Sequence, residues 1–211
     1  MKKIFTLAAI VAAMILTGCT QKEQPQQNAE ETNAAPSFNE VLMSRRSIRN
    51  YDATKTISEE EVRTLLTLTQ EAPSWANQQP SKYYVALSDE KVEAVRDLIG
   101  MNKERTAGSN VFIVSTFETG KSGFFRGEQT NEIGDGWGAY DNGLSNGYLI
   151  LQARAMGFDT LIMGMRDSEG LRGLFGIPES ETVMAVIALG YRAEEPTQPE
   201  HRNFDEVVSF F

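Results

Sequence analysis

The chain has 211 residues, with 20 Lys and Arg against 29 Asp and Glu and a formal net charge of −9, enough for one ordinary globular domain plus extensions. An acidic balance of this kind argues against broad contact with nucleic acid or an anionic membrane, because both need an extended basic surface. The single histidine, His201, and the single cysteine, Cys19, give no ligand set for structural zinc and almost nothing from which to build a Cys–His or Ser–His–Asp nucleophile.

Taken in chain order, residues 1–18 read as a signal peptide: Lys2 and Lys3 precede the apolar run "IFTLAAIVAAMIL", which is short for a membrane span. "LTGC", residues 16–19, resembles the lipobox of bacterial lipoprotein signals, which implies lipidation of Cys19 and a membrane anchor on the cell-envelope side; an ordinary secretory signal with a chance cysteine is the alternative. Residues 19–36 are rich in Gln, Glu, Asn, Ala and Pro, carry too little apolar surface to fold, and read as a flexible tether. The folded domain is expected over 37–211.

Ser37 with Glu40 and Ser58 with Glu61 have capping-box spacing and predict helices over about 37–46 and 58–72. "KYYVAL" (82–87) reads as a strand, 90–99 as an amphipathic helix, and "VFIVSTF" (111–117) as a buried strand. A Gly-rich loop is expected over 118–138, then a long helix over 139–156 with Ala139, Leu144, Tyr148, Leu151 and Ala155 inward. A strand at 159–164, a short helix near 168–175, a strand at 182–190 and a polar tail complete an α+β pattern. "TGKS" (119–122) lacks the first glycine of a P-loop, and "GDGWG" (134–138) lacks the strand and spacing of a dinucleotide fingerprint.

Four segments remain that could form one site. "RRSIR" concentrates Arg45, Arg46 and Arg49 around Ser47; arginines here can simply complement a helix C-terminus, yet their forks also match phosphate oxygens. "APSWANQQP" (72–80) is a turn-rich loop whose amides suit the edge of a heterocycle, or an ordinary Asn/Pro loop. "LIMGM" (161–165) has Gly164, which would admit backbone close to a flat ligand, or merely end a strand. Arg202 lies in the tail, where a surface arginine needs no special account.

In this order and spacing the segments resemble the nitroreductase family of FMN-dependent oxidoreductases. So do the long helix leading into "GFDTLIMG", the "GLFGIPES" segment and the closing "GYR…P…R…DEVV". The resemblance spans essentially 37–211 and is weakest over 100–140. It implies a three-layer α/β/α fold around a mostly antiparallel sheet, and a homodimer with FMN at the interface. Carried over, Arg45 and Ser47 would hold the FMN phosphate and ribityl end, with Arg46 adding contacts and Arg49 near the pyrimidine edge. Pro73, Ser74 and Trp75 would pack on the ring from the partner subunit, with Asn77 shaping that loop. Met163 and Gly164 would lie beside the ring, and Arg202 would return to the phosphate. Glu200 stands where the family often has a basic residue, and Met163 where it often has a glutamate.

The resemblance also implies flavin-borne chemistry with no catalytic side chain. NAD(P)H would be the reductant and a nitroaromatic, quinone or similar small molecule the acceptor. Two other readings stay open on the sequence: a flavin-binding or flavin-scavenging lipoprotein without turnover, and an interaction module that has lost the cofactor.

Overall fold

The computed structural model describes residues 35–211. The signal peptide, Cys19 and all of the tether but its last two residues lie outside the described residues. Helix α1 (Phe38–Ser44) and helix α2 (Glu59–Thr69) both start in the expected capping boxes, each serine accepting from the N3 amide and each glutamate reaching back to the serine amide. Helix α2 stops at Thr69, short of the expected 72, and Ala72 N–H closes the turn on the Thr69 carbonyl, so Pro73 begins the next loop clear of the helix.

Four strands form the main sheet: β1 (Ser81–Ala86), β2 (Val111–Glu118), β5 (Asp159–Met163) and β6 (Glu181–Gly190), in the order β1-β2-β6-β5 with every pairing antiparallel. The apolar run of β2 feeds both faces at once. Phe112 and Val114 join a core with Val92, Val95 and Ile99 of α3 (Asp89–Asp97) and the turn after it, and with Leu171 of α5 (Ser168–Phe175). Val111 and Ile113 join Val62 and Leu65 of α2 with Leu149 and Ala153 of α4 (Gly136–Ala155) on the opposite face. Period-two alternation in a strand covered on both sides therefore produces the three-layer α/β/α arrangement. A four-residue helix α6 (Phe204–Val207) lies in the tail.

Two expectations are corrected. Residues 118–138 are not one irregular loop: β3 (Phe124–Phe125) and β4 (Glu128–Gln129) form a small hairpin across Arg126 and Gly127, both at positive φ, and α4 begins at Gly136 rather than 139. The two-residue Arg-Gly turn supplies the left-handed backbone that such a hairpin requires. The inward face of α4 also differs: Asp141, Asn142, Ser145, Asn146, Leu149 and Ala153 are buried, while Tyr140 and Tyr148 are exposed. The sheet face opposite presents Ser115, Thr116 and Tyr83, whose hydroxyls and carbonyls satisfy these polar side chains. The single Ser115 hydroxyl proton is shared between Asn142 Oδ1 at 2.9 Å and Asn146 Oδ1 at 3.0 Å, and Asn142 Nδ2 donates to the Thr116 carbonyl at 2.9 Å. A fully paired network of this kind can occupy a core position that an apolar face would otherwise take.

Candidate flavin site

Beyond α1 the chain runs along the outer edge of β5. Ser47 forms a parallel bridge with Thr160, and Ile48 N–H donates to the Thr160 carbonyl at 3.0 Å. Ile48 is buried and anchors the segment, so Ser47 and Arg49 on either side stay exposed. Arg46 Nη1 donates to the Arg45 carbonyl and Arg49 Nη1 to the Ser47 carbonyl, at 2.6 and 3.2 Å. Among the described residues no carboxylate pairs with Arg45, Arg46 or Arg49. Three guanidinium groups and a free hydroxyl thus gather on one short segment with most of their donors unused, which fits a compact dianion such as a phosphate monoester.

The segment is held from behind by a buried ion cluster. Asp159, 3 % exposed at the start of β5, accepts from Arg192 Nη2 at 2.7 Å and Nε at 2.9 Å and lies 3.5 Å from Arg154 Nη1. Arg192 Nη2 also donates to the Ser44 carbonyl at 3.1 Å, and Arg154 Nε to Ser44 Oγ at 3.0 Å. Both arginines therefore grip the last residue of α1 immediately before the cluster. The Asp159 carboxylate beside Arg192 raises that guanidinium's pKa above its ordinary value. Neither Asp159 nor Arg192 was foreseen from the sequence, since the Asp-to-Arg separation carries no local signal.

Strand β5 runs from this corner to Met163 and Gly164. Thr160 and Gly164 are four residue steps apart, roughly 13 Å of extended strand, a length suited to a ligand with a phosphate at one end and a planar ring at the other. Gly164 is exposed, and a Cβ there would meet nothing within 4 Å. Met163 is 3 % exposed and packs in the core beside Leu161. Its side chain therefore belongs to the core rather than to an exposed face of this edge strand.

The loop 73–80 lies elsewhere. It enters β1, the other edge strand, three strand spacings or roughly 14 Å across the sheet from β5. It forms a 3-10 turn over Trp75–Asn77 and holds Ala76, Asn77 and Gln79 at positive φ. Ser74 Oγ accepts from Gln79 N–H and Asn77 Oδ1 from Gln79 Nε2, both at 2.9 Å. Trp75 is half-buried, while Pro73 and Asn77 are exposed. A cavity of about 570 Å³ lies against this loop, lined by Pro73, Ser74, Lys82, Tyr83, Tyr84 and Asp141 among others; the arginine segment does not reach it. Burial pushes the Tyr83 phenol up to about 12, partly offset by its hydrogen bond with Ser145. Arg202 sits in the exposed tail and engages Glu206 at 3.2 Å. One chain thus brings together Arg45, Arg46, Ser47 and Arg49 with the β5 edge, and keeps the 73–77 loop apart from them.

The comparisons with known proteins agree with this fold. The nitroreductase family model matches residues 42–191. YdgI of Bacillus subtilis, named for NAD(P)H nitroreductase activity, is 28% identical over 187 residues, covering 75% of this chain and 90% of its own length. A protein of Exiguobacterium sibiricum solved in complex with FMN superposes with a TM-score of 0.75 at 23% identity, covering 84% of this chain and 98% of its own. A Staphylococcus epidermidis structure described as an NAD(P)H:FMN oxidoreductase gives 0.73 at 24% identity, covering 83% and 96%. At these identities the two structures bear on the fold, whereas the family model spans the arginine segment, the 73–80 loop and the β5 edge together. The chain therefore belongs to the nitroreductase family of FMN-dependent oxidoreductases.

Proposed function

We propose that the domain is a homodimeric FMN oxidoreductase that takes electrons from a reduced donor and passes them to a nitroaromatic, quinone or similar small acceptor. The observation that carries this is the arginine segment: three guanidinium groups without a carboxylate partner among the described residues, clamped beside an edge strand of flavin length. When bound, FMN supplies the electron transfer. Arg45, Arg46 and Ser47 bind its phosphate, Arg49 places a positive charge near the ring, and the backbone at Met163–Gly164 borders it. No side chain needs to act as acid or base.

Two observations support a dimer. The 73–77 loop lies across the sheet from the arginine segment, so Pro73, Ser74 and Trp75 would reach the ring held by the other copy, with Asn77 shaping the loop. Helix α4 leaves Tyr140 59 % and Tyr148 44 % exposed, with open space at Gly143 and Gly147 between them, an apolar strip suited to burial against a second subunit. Arg202 would complete the phosphate site.

The sequence of residues 1–36 adds location. A signal with a lipobox-like "LTGC" and a polar tether would place the domain on a lipid anchor at Cys19 in the cell envelope. The relatives named for NAD(P)H nitroreductase activity, such as YdgI, support NAD(P)H as the reductant; on an exported, anchored domain the donor would instead be a membrane quinol, another reduced flavoprotein or a further small reductant. The readout is the visible spectrum of the purified protein through gel filtration. A retained flavin band, with FMN affinity falling about 10–150-fold in Arg45→Ala through the loss of one charge-assisted contact of about 1.5–3 kcal/mol, supports the phosphate assignment. Unchanged affinity in that variant removes it. Rapid reduction by NADPH with none by quinols would count against the envelope donor.

A further inference from the structure

We propose that Asp141 is a positioning residue for the ring-contacting loop, a role that rests on the flavin site proposed above. Asp141 lies in the second turn of α4 and is 3 % exposed. Its Oδ2 accepts two hydrogen bonds, from Trp75 N–H at 2.9 Å and from Ser122 Oγ at 2.6 Å. Ser122 is fully buried and sits one residue before the sharp turn at Gly123 that starts the β3–β4 hairpin. One carboxylate oxygen therefore joins three parts of the chain that are distant in sequence.

The loop needs an outside tie. Ala76, Asn77 and Gln79 all stand at positive φ, a conformation that non-glycine residues keep only when their surroundings hold it. The bonds within the loop close it on itself: Asn77 N–H to the Ser74 carbonyl, Gln78 N–H to the Trp75 carbonyl, and Gln79 N–H to Ser74 Oγ. Among the described residues, Trp75 N–H to Asp141 is the only hydrogen bond that leaves residues 74–79. It acts at the amide of the very residue whose indole the flavin reading places on the ring. Asp141 has no cationic partner among the described residues. A buried carboxylate without one is costly unless its acceptors are used, and here the use it finds is the loop. Ser122 completes the pair and links the orientation of Trp75 to the base of the hairpin.

Asp141 is a positioning residue, not a catalytic one. It acts through Trp75. Flavin emission is the direct readout, because an indole held against the ring quenches it by contact. The test uses the full-length protein loaded with FMN and compares the parent with Asp141→Ala, Asp141→Asn, Ser122→Ala and Trp75→Phe. In Asp141→Ala, bound-flavin emission should rise several-fold and acceptor KM should rise at least threefold, while FMN affinity stays within about twofold of the parent. Asp141→Asn keeps an acceptor oxygen toward Trp75 N–H and should restore most of the quenching. Trp75→Phe should lose the quenching by itself and abolish any further effect of Asp141→Ala. A folded, flavin-loaded Asp141→Ala with parental emission and parental KM overturns the proposal. If Asp141→Ala does not fold, Ser122→Ala must still raise emission in the same direction, and no rise there overturns it. Should the parent retain no FMN, the flavin site fails first and takes this proposal with it. If FMN is retained and only the emission and KM effects are missing, the flavin site stands and the role of Asp141 falls.

Discussion

Replacing Asp159 with alanine removes the acceptor for two arginines at once. The Asp159 side chain is 2 % exposed, Arg192 12 % and Arg154 25 %. Breaking a buried pair from one side typically costs about 3–5 kcal/mol, because the remaining charge is left without compensation. Water can partly reach Arg154, and Arg192 keeps an ion pair with Glu195 at 2.7 Å, so the lower end, about 3 kcal/mol, is the expectation here. For a domain of this size, each kcal/mol moves the melting temperature by about 2–4 °C, which gives a fall of about 6–12 °C. The loss should not stop at stability. Arg192 and Arg154 hold the Ser44 carbonyl and hydroxyl, and Ser44 directly precedes Arg45. Without Asp159, Arg154 loses its carboxylate partner and Arg192 keeps only the exposed Glu195 at 2.7 Å, so both hold Ser44 less firmly and the arginine segment loses its fixed aim. Differential scanning fluorimetry with and without a large excess of FMN separates the two effects, since ligand that binds only the folded state raises stability by RT ln(1 + [L]/Kd). Asp159→Ala should melt lower and also gain less from FMN than the parent. A melting temperature within about 2 °C of the parent would refute the buried-charge argument. A large fall with an undiminished FMN shift would refute the coupling to the arginine segment.

Three further outcomes follow from other parts of the molecule. The Tyr83 phenol, raised by burial from 10.0 to about 12, stays protonated in the fold where the unfolded chain has already lost the proton. Its contribution is therefore complete below pH 10 and is lost as pH rises toward 12, by about 2–3 kcal/mol in total; alkaline unfolding of Tyr83→Phe should be correspondingly shallower. Gly108→Ala should destabilise by about 1–3 kcal/mol in urea unfolding, since its Cβ would fall 2.2 Å from the Tyr51 carbonyl oxygen. Tyr51→Phe, by contrast, should be neutral or mildly stabilising in the same assay, because the Tyr51 hydroxyl is buried with no hydrogen-bond partner and removing an unsatisfied group lifts its desolvation cost.

Much of the architecture was legible from local pattern. Both capping boxes, the four sheet strands within a residue or so, and α5 with its Gly176 terminus in the left-handed region follow from short-range chemistry: side-chain-to-amide bonds, alternation and a glycine with no Cβ to clash. The arginine segment and the 73–80 loop were likewise visible as compact motifs, and "RRSIR" is held together by a chain only five residues long. Helix α4 was misread because its apolar residues, Tyr140, Leu144 and Tyr148, also fall at helical spacing, and periodicity alone does not say which of two faces meets the sheet. That was decided by Ser115, Thr116 and Tyr83, which present hydroxyls and carbonyls where Asn142, Ser145 and Asn146 can use them. The signal for this was present as polar residues at i, i+1, i+4 and i+5, but its meaning depended on strands far away in sequence.

The sequence by itself carried the compact motifs that resemble a flavin phosphate site, the two capping boxes and the four main strands to within about a residue. Only the tertiary structure decided how those residues are shared out. It set the arginine segment against one edge strand and the 73–77 loop against the other, clamped the first with Asp159 and tied the second to Asp141. The physical reason is that sheet order and buried-charge pairing are long-range: strands distant in the chain become neighbours through backbone hydrogen bonds, and an aspartate finds its arginine 33 residues away because both must lose water together.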